Sequence, residues 1–158
     1  MSISVRASGT DLATVSRKLR KAGDKEAAKQ FRTELRAAAA PFVPAVRASI
    51  AAIPVKGTSG STGLRKRLQK AVTLRVRTSG KNAQVSILMS TAKMPSGQRS
   101  LPAMMEGTKR FRHPVFGNED NWVGQQSHPY FFPVMRAGGP VAKVAVNKVV
   151  GNITREIT

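Results

Sequence analysis

Cysteine is absent from this chain of 158 residues, so it forms neither disulfide bonds nor thiolate metal sites. Acidic residues are scarce as well: 8 Asp and Glu stand against 27 Lys and Arg, and the formal net charge is +19. No run of about 18 apolar residues occurs, so we expect no membrane-spanning helix, and no apolar export signal follows the first charges. Hydrophobic residues make up 41% of the chain, which is enough for the core of one domain over residues 1–158.

The positive charge is concentrated in the middle of the chain. No acidic residue lies between Glu34 and Glu106, whereas twelve lysines and arginines lie there. Such a field attracts polyanions, namely nucleic acid, an anionic membrane or an acidic protein. A solvated basic face without a specific partner is the alternative. We expect a patch that faces DNA phosphates or a partner subunit. Its residues are Arg65, Lys66, Arg67, Lys70, Arg75, Arg77 and Lys81.

Periodicity predicts an α+β domain in which long kinked helices pack on a small antiparallel sheet that includes a β-hairpin. The predicted elements are, in order, a strand or arm at 1–9, helices at 10–22 and 24–53, the second of which is capped by Asp24, a short basic helix at 64–70, a hairpin at 72–89, a short helix at 101–107 and a helix at 133–157. Segments 56–63 and 91–100 are predicted to be flexible loops.

Prolines interrupt both long helices. Pro41 and Pro44 each remove a backbone donor, so we expect a bend near Ala40. The apolar stripe keeps its register beyond the two prolines. Gly138, Gly139 and Pro140 predict a kink or a restart in the last helix. The buried stripe predicted for that helix is Val134, Val141, Val144, Ala145, Lys148, Val149 and Ile153.

Six of the eight aromatic residues fall between Phe111 and Phe132, together with both histidines, each of which precedes a proline. The glycines and prolines predict a rigid connector of turns, rather than a helix or strand, that buries or presents aromatic surface. We expect Phe131 and Phe132 in the core and Trp122 near the surface. The candidates for subunit contact are Phe111, His113, Phe116, Trp122, His128 and Tyr130.

The same segment contains the few side chains that suit catalysis or metal binding. His113, Glu119, Asp120 and His128 lie within sixteen residues, but their spacing matches no zinc or nuclease pattern. The favoured interpretation is that each imidazole packs against an aromatic ring or bonds a backbone carbonyl. No nucleophile elbow, phosphate loop or dinucleotide motif is present. We therefore predict no enzymatic activity, no metal and no cofactor.

The segment also resembles a known family. Met105-Glu106-Gly107-Thr108, then Phe111-Arg112-His113-Pro114, then the run from His128 to Pro133 (HPYFFP) is similar to the C-terminal half of tail-component proteins of long-tailed bacteriophages. These are small neck or tail-completion proteins. The preceding order of a proline-containing helix, a Gly/Ser loop, a basic helix and a hairpin is also similar, so the resemblance covers roughly residues 24–157.

The resemblance implies a structural virion protein that forms a six-fold ring around the DNA channel where head meets tail. It implies contacts with identical copies, with connector and tail proteins and with DNA in the channel, but no membrane, enzymatic activity or cofactor. The chain would be made in the host bacterial cytoplasm and end in the virion. The alternative is a sequence-nonspecific nucleic-acid-binding protein that works alone, although no helix-turn-helix or RNA-binding aromatic strand is evident.

Overall fold

The computed structural model describes residues 3–7, 10–54, 63–79, 83–115 and 118–156. The fold is α+β, as the sequence predicts. Its strands are β1 (Ile3–Ala7), β2 (Val72–Arg77), β3 (Gln84–Met89), β4 (Phe111–Val115) and β5 (Asn118–Gln125). Its helices are α1 (Thr10–Ala22), α2 (Lys25–Ala39), α3 (Phe42–Ala51), α4 (Leu64–Ala71), α5 (Leu101–Met105) and α6 (Phe132–Glu156). Within these ranges, no helix is both long and apolar enough to cross a bilayer.

Three strands form an antiparallel sheet in the order β1-β3-β2, so the predicted hairpin and the predicted N-terminal strand pair with each other. Met89 of β3 lies opposite Ile3 on one side and Val72 on the other. The period of two sends Val85, Ile87 and Met89 into the core. Helices α2, α3 and α6 pack against this sheet, and the opposite face carries the exposed Arg75 and Arg77.

Two clusters of apolar side chains fill the interior. One is centred on Phe31 and Leu35 of α2 and is closed by α1 and the C-terminal half of α6. The other lies under α3 and α4 and contains Tyr130, Phe131 and Met135. Leu74 of β2 packs against both clusters, so the sheet joins them.

The predicted bend separates α2 from α3. Asp24 begins α2 as predicted, because its Oδ1 accepts a hydrogen bond from the Ala27 backbone N at 2.9 Å. Ala40 (φ −56°, ψ −40°) and Pro41 (φ −59°, ψ −23°) keep right-handed helical dihedrals, so the chain bends without leaving the helical region. Pro44 is the third residue of α3, where a backbone N–H has no partner within the helix and none is lost.

Helix α6 runs from Phe132 to Glu156 without a restart at Pro140, which was one of the two predicted alternatives. Its buried face differs in part from the predicted stripe. Val141 and Val144 are not core residues, because they are 64% and 69% exposed. Lys148 is exposed as well. The buried face carries Ile153, as predicted, together with Met135, Val146 and Val150, which the predicted stripe left out. Val134 and Val149 are half-buried and pack against the two core clusters.

A close approach between helices explains the error. A Cβ at Gly138 would lie 2.5 Å from Cε1 of Phe42 on α3, so the two helices meet at a residue with no side chain. The large valines were expected to mark the buried stripe. At this contact a glycine faces the neighbouring helix, and the valines turn outward.

Segment 91–100 was predicted to be a flexible loop. It forms two short 3-10 turns, at Thr91–Lys93 and Ser96–Gln98. Thr91 and Met94 are buried, and Met94 belongs to the core cluster under α3 and α4. The other predicted loop, 56–63, lies outside the described residues except for Gly63, which precedes α4 with φ +66°.

Candidate subunit and nucleic-acid interface

The basic patch predicted from the sequence lies on two consecutive elements, α4 and β2. Leu68 and Ala71 bury one face of α4 against the core, and Lys66 and Lys70 are exposed on the other side. Ala71 is followed directly by Val72, the first residue of β2. The helix and the strand therefore form one continuous basic stretch of chain.

Two arginines of the patch are tied into the domain itself. Nη1 of Arg65 donates to the carbonyl oxygen of Ala51, at the end of α3, at 2.8 Å. Nη2 of Arg67 donates to Oε1 of Gln98 at 3.2 Å. Nε of Arg67 is buried without a hydrogen-bond partner among the described residues. These two guanidinium groups anchor α4, and replacing them with acids would disturb the fold as well as the surface.

The remaining described cations of the patch face the solvent. Lys66, Lys70, Arg75 and Arg77 are exposed, and Lys81 lies outside the described residues. Arg75 and Arg77 alternate with Leu74 and Val76, so they share the outward face of β2. In the part of the chain that the structure describes, one ion pair forms, between Lys29 Nζ and Glu26 Oε2 at 3.8 Å. Among the described residues, the charge of the patch is thus not balanced by ion pairs.

Glu106, which follows α5, organises the aromatic segment. Its Oε2 accepts hydrogen bonds from the backbone N of Tyr130 at 3.0 Å and of Phe131 at 2.9 Å. Its Oε1 accepts from the backbone N of Phe132, the first residue of α6, at 2.7 Å. The carboxylate therefore caps α6 from a distant part of the sequence, where the helix dipole favours a negative charge.

Further hydrogen bonds hold the segment before α6 against α5. Oγ of Ser127 donates to the carbonyl oxygen of Met104 at 2.9 Å and also approaches that of Lys109. The backbone N of His128 donates to the carbonyl oxygen of Met105 at 3.0 Å. His128 is half-buried and its backbone fixes the turn.

Tyr130 is a core residue and corrects one of the predicted subunit contacts. Its side chain is fully buried, and its hydroxyl donates to the carbonyl oxygen of Pro102 at 3.3 Å. Burial raises the pKa of the Tyr130 hydroxyl, and the nearby Glu106 carboxylate raises it further. A side chain enclosed in this way offers no surface to a partner subunit.

The aromatic connector was expected to consist of turns, but it contains an antiparallel hairpin. Strands β4 and β5 pair from Phe111 opposite Gln125 to Val115 opposite Asn118. The register shifts between Pro114 and Val115, which produces a bulge in β5. We call the strands β4 and β5 together the arm. A strand with proline and histidine at its centre does not alternate clearly, which is why its sequence predicts no strand.

His113 connects the two strands of the arm. Its Nε2 lies 2.9 Å from Oε1 of Gln125, and its Nδ1 lies 3.1 Å from the carbonyl oxygen of Pro114. The imidazole also packs against the Phe111 ring, with 5.8 Å between centroids. These contacts confirm the interpretation of His113 as a group that fixes local structure. No group of three or more His, Asp and Glu residues suited to a metal occurs in the described ranges.

The aromatic candidates for subunit contact fall into different environments. Trp122 lies at the surface, 47% exposed, and its neighbour Val123 is 40% exposed. Phe111 is half-buried and packs against the core, while Phe116 lies outside the described residues. Phe131 is buried as predicted. Phe132 was also expected in the core but is 37% exposed.

Sequence reasoning missed two features of this surface. Glu106 gave one usable signal, since it is the first acidic residue after a long basic span. The exposure of Val141 and Val144 gave no signal in the sequence, because the contact between Gly138 and Phe42 that sets the buried face of α6 joins residues far apart in sequence.

In comparisons with known proteins, no family model, no curated protein and no solved structure matches this chain.

Proposed function

We propose that this chain is a structural virion protein of a long-tailed bacteriophage, placed in the neck or tail-completion ring that joins head to tail around the DNA channel. The observation that carries the proposal is the arm, which exposes Trp122 and Val123 beside a body whose own core is already closed. Exposed aromatic and aliphatic side chains on a separate two-stranded ribbon are typical of surfaces that other proteins cover.

The uncompensated charge supports the same function. Lys66 and Lys70 on α4 are exposed, and they are not engaged in the ion pair found among the described residues. A ring that surrounds DNA benefits from cations that contact phosphates without regard to base sequence. A ring stacked between other rings benefits equally from charge that complements acidic neighbours.

The experiment is to inactivate the gene in a phage that carries it and to examine the lysate by electron microscopy. We expect filled heads and separate tails, and joined particles again when the wild-type chain is supplied from a plasmid. Antibody labelling of wild-type particles is expected to mark the head–tail joint. Joined, infectious particles without the chain, or purified particles that lack it, contradict the proposal.

A second function is favoured by the four exposed cations Lys66, Lys70, Arg75 and Arg77. A nucleic-acid-binding protein that acts alone would use them for phosphate contacts, with an affinity that falls steeply as salt rises. Tight binding of free duplex DNA by the isolated chain, combined with its absence from particles, selects this second function over the first.

A further inference from the structure

The arm has little support from the rest of the domain. Strands β4 and β5 pair with each other as a separate two-stranded sheet, and an isolated two-stranded ribbon is only marginally stable in water. Its base is held where Phe111 packs on the core. Farther out, Trp122 and Val123 are exposed. Covering these side chains would stabilise both the ribbon and whatever covers it.

The bulge places a carboxylate beside this apolar surface. Pro114 lies opposite Trp122 and Val115 lies opposite Asn118, so the three residues between Asn118 and Trp122 have no partners in β4. The backbone N of Asp120, within the bulge, donates to Oδ1 of Asn118 at 2.9 Å. The Asp120 side chain is exposed and forms no ion pair with a described residue. The arm thus carries an exposed carboxylate two residues before the exposed indole of Trp122.

A complementary surface lies on the outward face of the sheet. Arg75 and Arg77, both exposed, stand two residues apart, which is about 7 Å along a strand. Residues directly opposite each other share a face, so the buried Ser86 lies beside Arg75 and the half-buried Leu88 lies beside Thr73. This face combines guanidinium groups with small and apolar side chains. Guanidinium groups bind carboxylates strongly and stack on aromatic rings.

Charge complementarity identifies the occupant as another copy of the chain. Three other acidic residues are engaged locally, since Asp24 caps α2, Glu106 caps α6 and Glu26 pairs with Lys29. Asp11 and Glu156 are also exposed, but they lie on helices α1 and α6, away from Trp122 in the sequence. Asp120 is an exposed carboxylate next to an exposed aromatic side chain, which is the combination that the Arg75–Arg77 face fits. The surplus of cations leaves that face without an acidic partner of its own.

We propose that Asp120 and Trp122 of one copy dock on the Arg75–Arg77 face of the next copy. Because the two surfaces differ, the contact is head-to-tail, and repetition closes a ring when the rotation between copies allows it. That this contact builds a ring in a phage particle rests on the proposed function. The contact itself depends only on the two surfaces. The sheet face then meets protein, and the exposed cations of α4, Lys66 and Lys70, are left for DNA or for other neighbours.

Disulfide trapping tests the contact in the full-length chain, which has no cysteine of its own. Asn121→Cys lies beside Asp120 in the bulge, and Gln84→Cys lies opposite Arg77 on the outward face. Both leave the proposed contact residues intact. Mixing the two single variants under oxidation is expected to give mixed disulfide dimers, at least about tenfold more than Asn121→Cys mixed with Arg17→Cys on α1. A yield no higher than that control overturns the proposal, and so does a predominance of Asn121→Cys homodimers.

A charge swap in the same assay separates the contact from its alternatives. Asp120→Arg, or Arg75→Glu in the partner variant, is expected to lower the yield of mixed dimers by roughly tenfold, and combining the two is expected to restore it. A yield insensitive to Asp120→Arg but abolished by short duplex DNA assigns the Arg75–Arg77 face to DNA and overturns the proposal. These results do not depend on particles, so absence of the chain from virions would contradict the proposed function and leave the contact standing.

Discussion

At the scale of single residues, Glu106 does more for this fold than its place in the sequence indicates. In a chain with so many cations, an acid is expected to pair with a lysine or an arginine. Glu106 instead accepts three backbone N–H groups, at 2.7–3.0 Å. The Phe132 N–H belongs to the first turn of α6, where a helix has no partners of its own for its N–H groups, and the other two donors directly precede it. One carboxylate therefore fixes both the end of the aromatic segment and the entry into the longest helix.

Tyr130, next to this carboxylate, provides a test by pH. Its hydroxyl donates to the Pro102 carbonyl oxygen, so Tyr130→Phe is expected to lower the free energy of unfolding by about 1 kcal/mol at neutral pH. The pKa of Tyr130 is raised in the folded state by burial and by Glu106. The stabilisation is therefore complete below the ordinary tyrosine pKa, near 10, and is lost as pH rises through and beyond it.

The measurement is denaturant unfolding of both proteins between about pH 7 and pH 11.5. Above about pH 10 the unfolded tyrosine ionises while the folded one does not, so the advantage of the wild type shrinks and reverses near pH 11. Comparing the two proteins at each pH cancels the titration of lysines, which both share. A difference in stability that stays constant across this range would contradict the environment assigned to Tyr130.

At the scale of elements, local signals predicted what local interactions decide. The capping of α2 by Asp24 and the hairpin of β2 and β3 depend on residues close in sequence, and both are confirmed. The arm was missed because its strands contain Pro114 and a bulge, and their pairing relies on cross-strand contacts such as that of His113 with Gln125. The periodicity of apolar residues along the chain does not predict such cross-strand contacts.

In the basic patch, too, local signals predicted the composition of the surface but not its tertiary contacts. Charge alone predicted one continuous surface, and composition could not tell that Arg65 and Arg67 bond the Ala51 carbonyl and Gln98. The contact with Gln98 depends on segment 91–100 being folded, which its polar sequence did not indicate. Tertiary packing therefore turned two of the predicted binding residues into anchors of α4.

The contact between α3 and α6 gives a test at this scale. Gly138→Ala would place Cβ 2.5 Å from Cε1 and 2.7 Å from Cδ1 of Phe42, so the ring or a helix must move. Overpacking of this kind costs roughly 1–3 kcal/mol, which exceeds the gain of up to about 1 kcal/mol in helix propensity. Gly151→Ala, in the same helix with open space at its Cβ, is the matched control and is expected to stabilise by about 0.5–1 kcal/mol. Chemical denaturation measures both, and equal stabilisation by the two changes would contradict the close approach.

At the scale of the whole molecule, electrostatic repulsion among the cations opposes the folding that burial of apolar side chains drives. The net charge is +19, and the one ion pair in the described ranges joins two exposed side chains, Lys29 and Glu26. Exposed pairs contribute little, so repulsion among the cations is largely unrelieved in the isolated chain. Polyanions or acidic neighbours would relieve it, which links the stability of the domain to its assembly.

Salt reproduces this relief without a partner. Raising NaCl from about 20 mM to about 500 mM shortens the screening length from roughly 20 Å to about 4 Å, so the free energy of unfolding is expected to rise, by on the order of 1 kcal/mol.

Replacing Lys66, Lys70, Arg75 and Arg77 together by Gln removes part of the repulsion. This variant is expected to be more stable than the wild type in low salt and to gain less from added salt. Replacing Arg17, Lys18, Arg20 and Lys21 of α1 by Gln removes the same charge elsewhere, and the two variants together show whether repulsion is concentrated around α4 and β2 or spread over the surface. Stability that falls with salt in all three proteins would mean that attractive pairs, and not repulsion, govern the electrostatics of this domain.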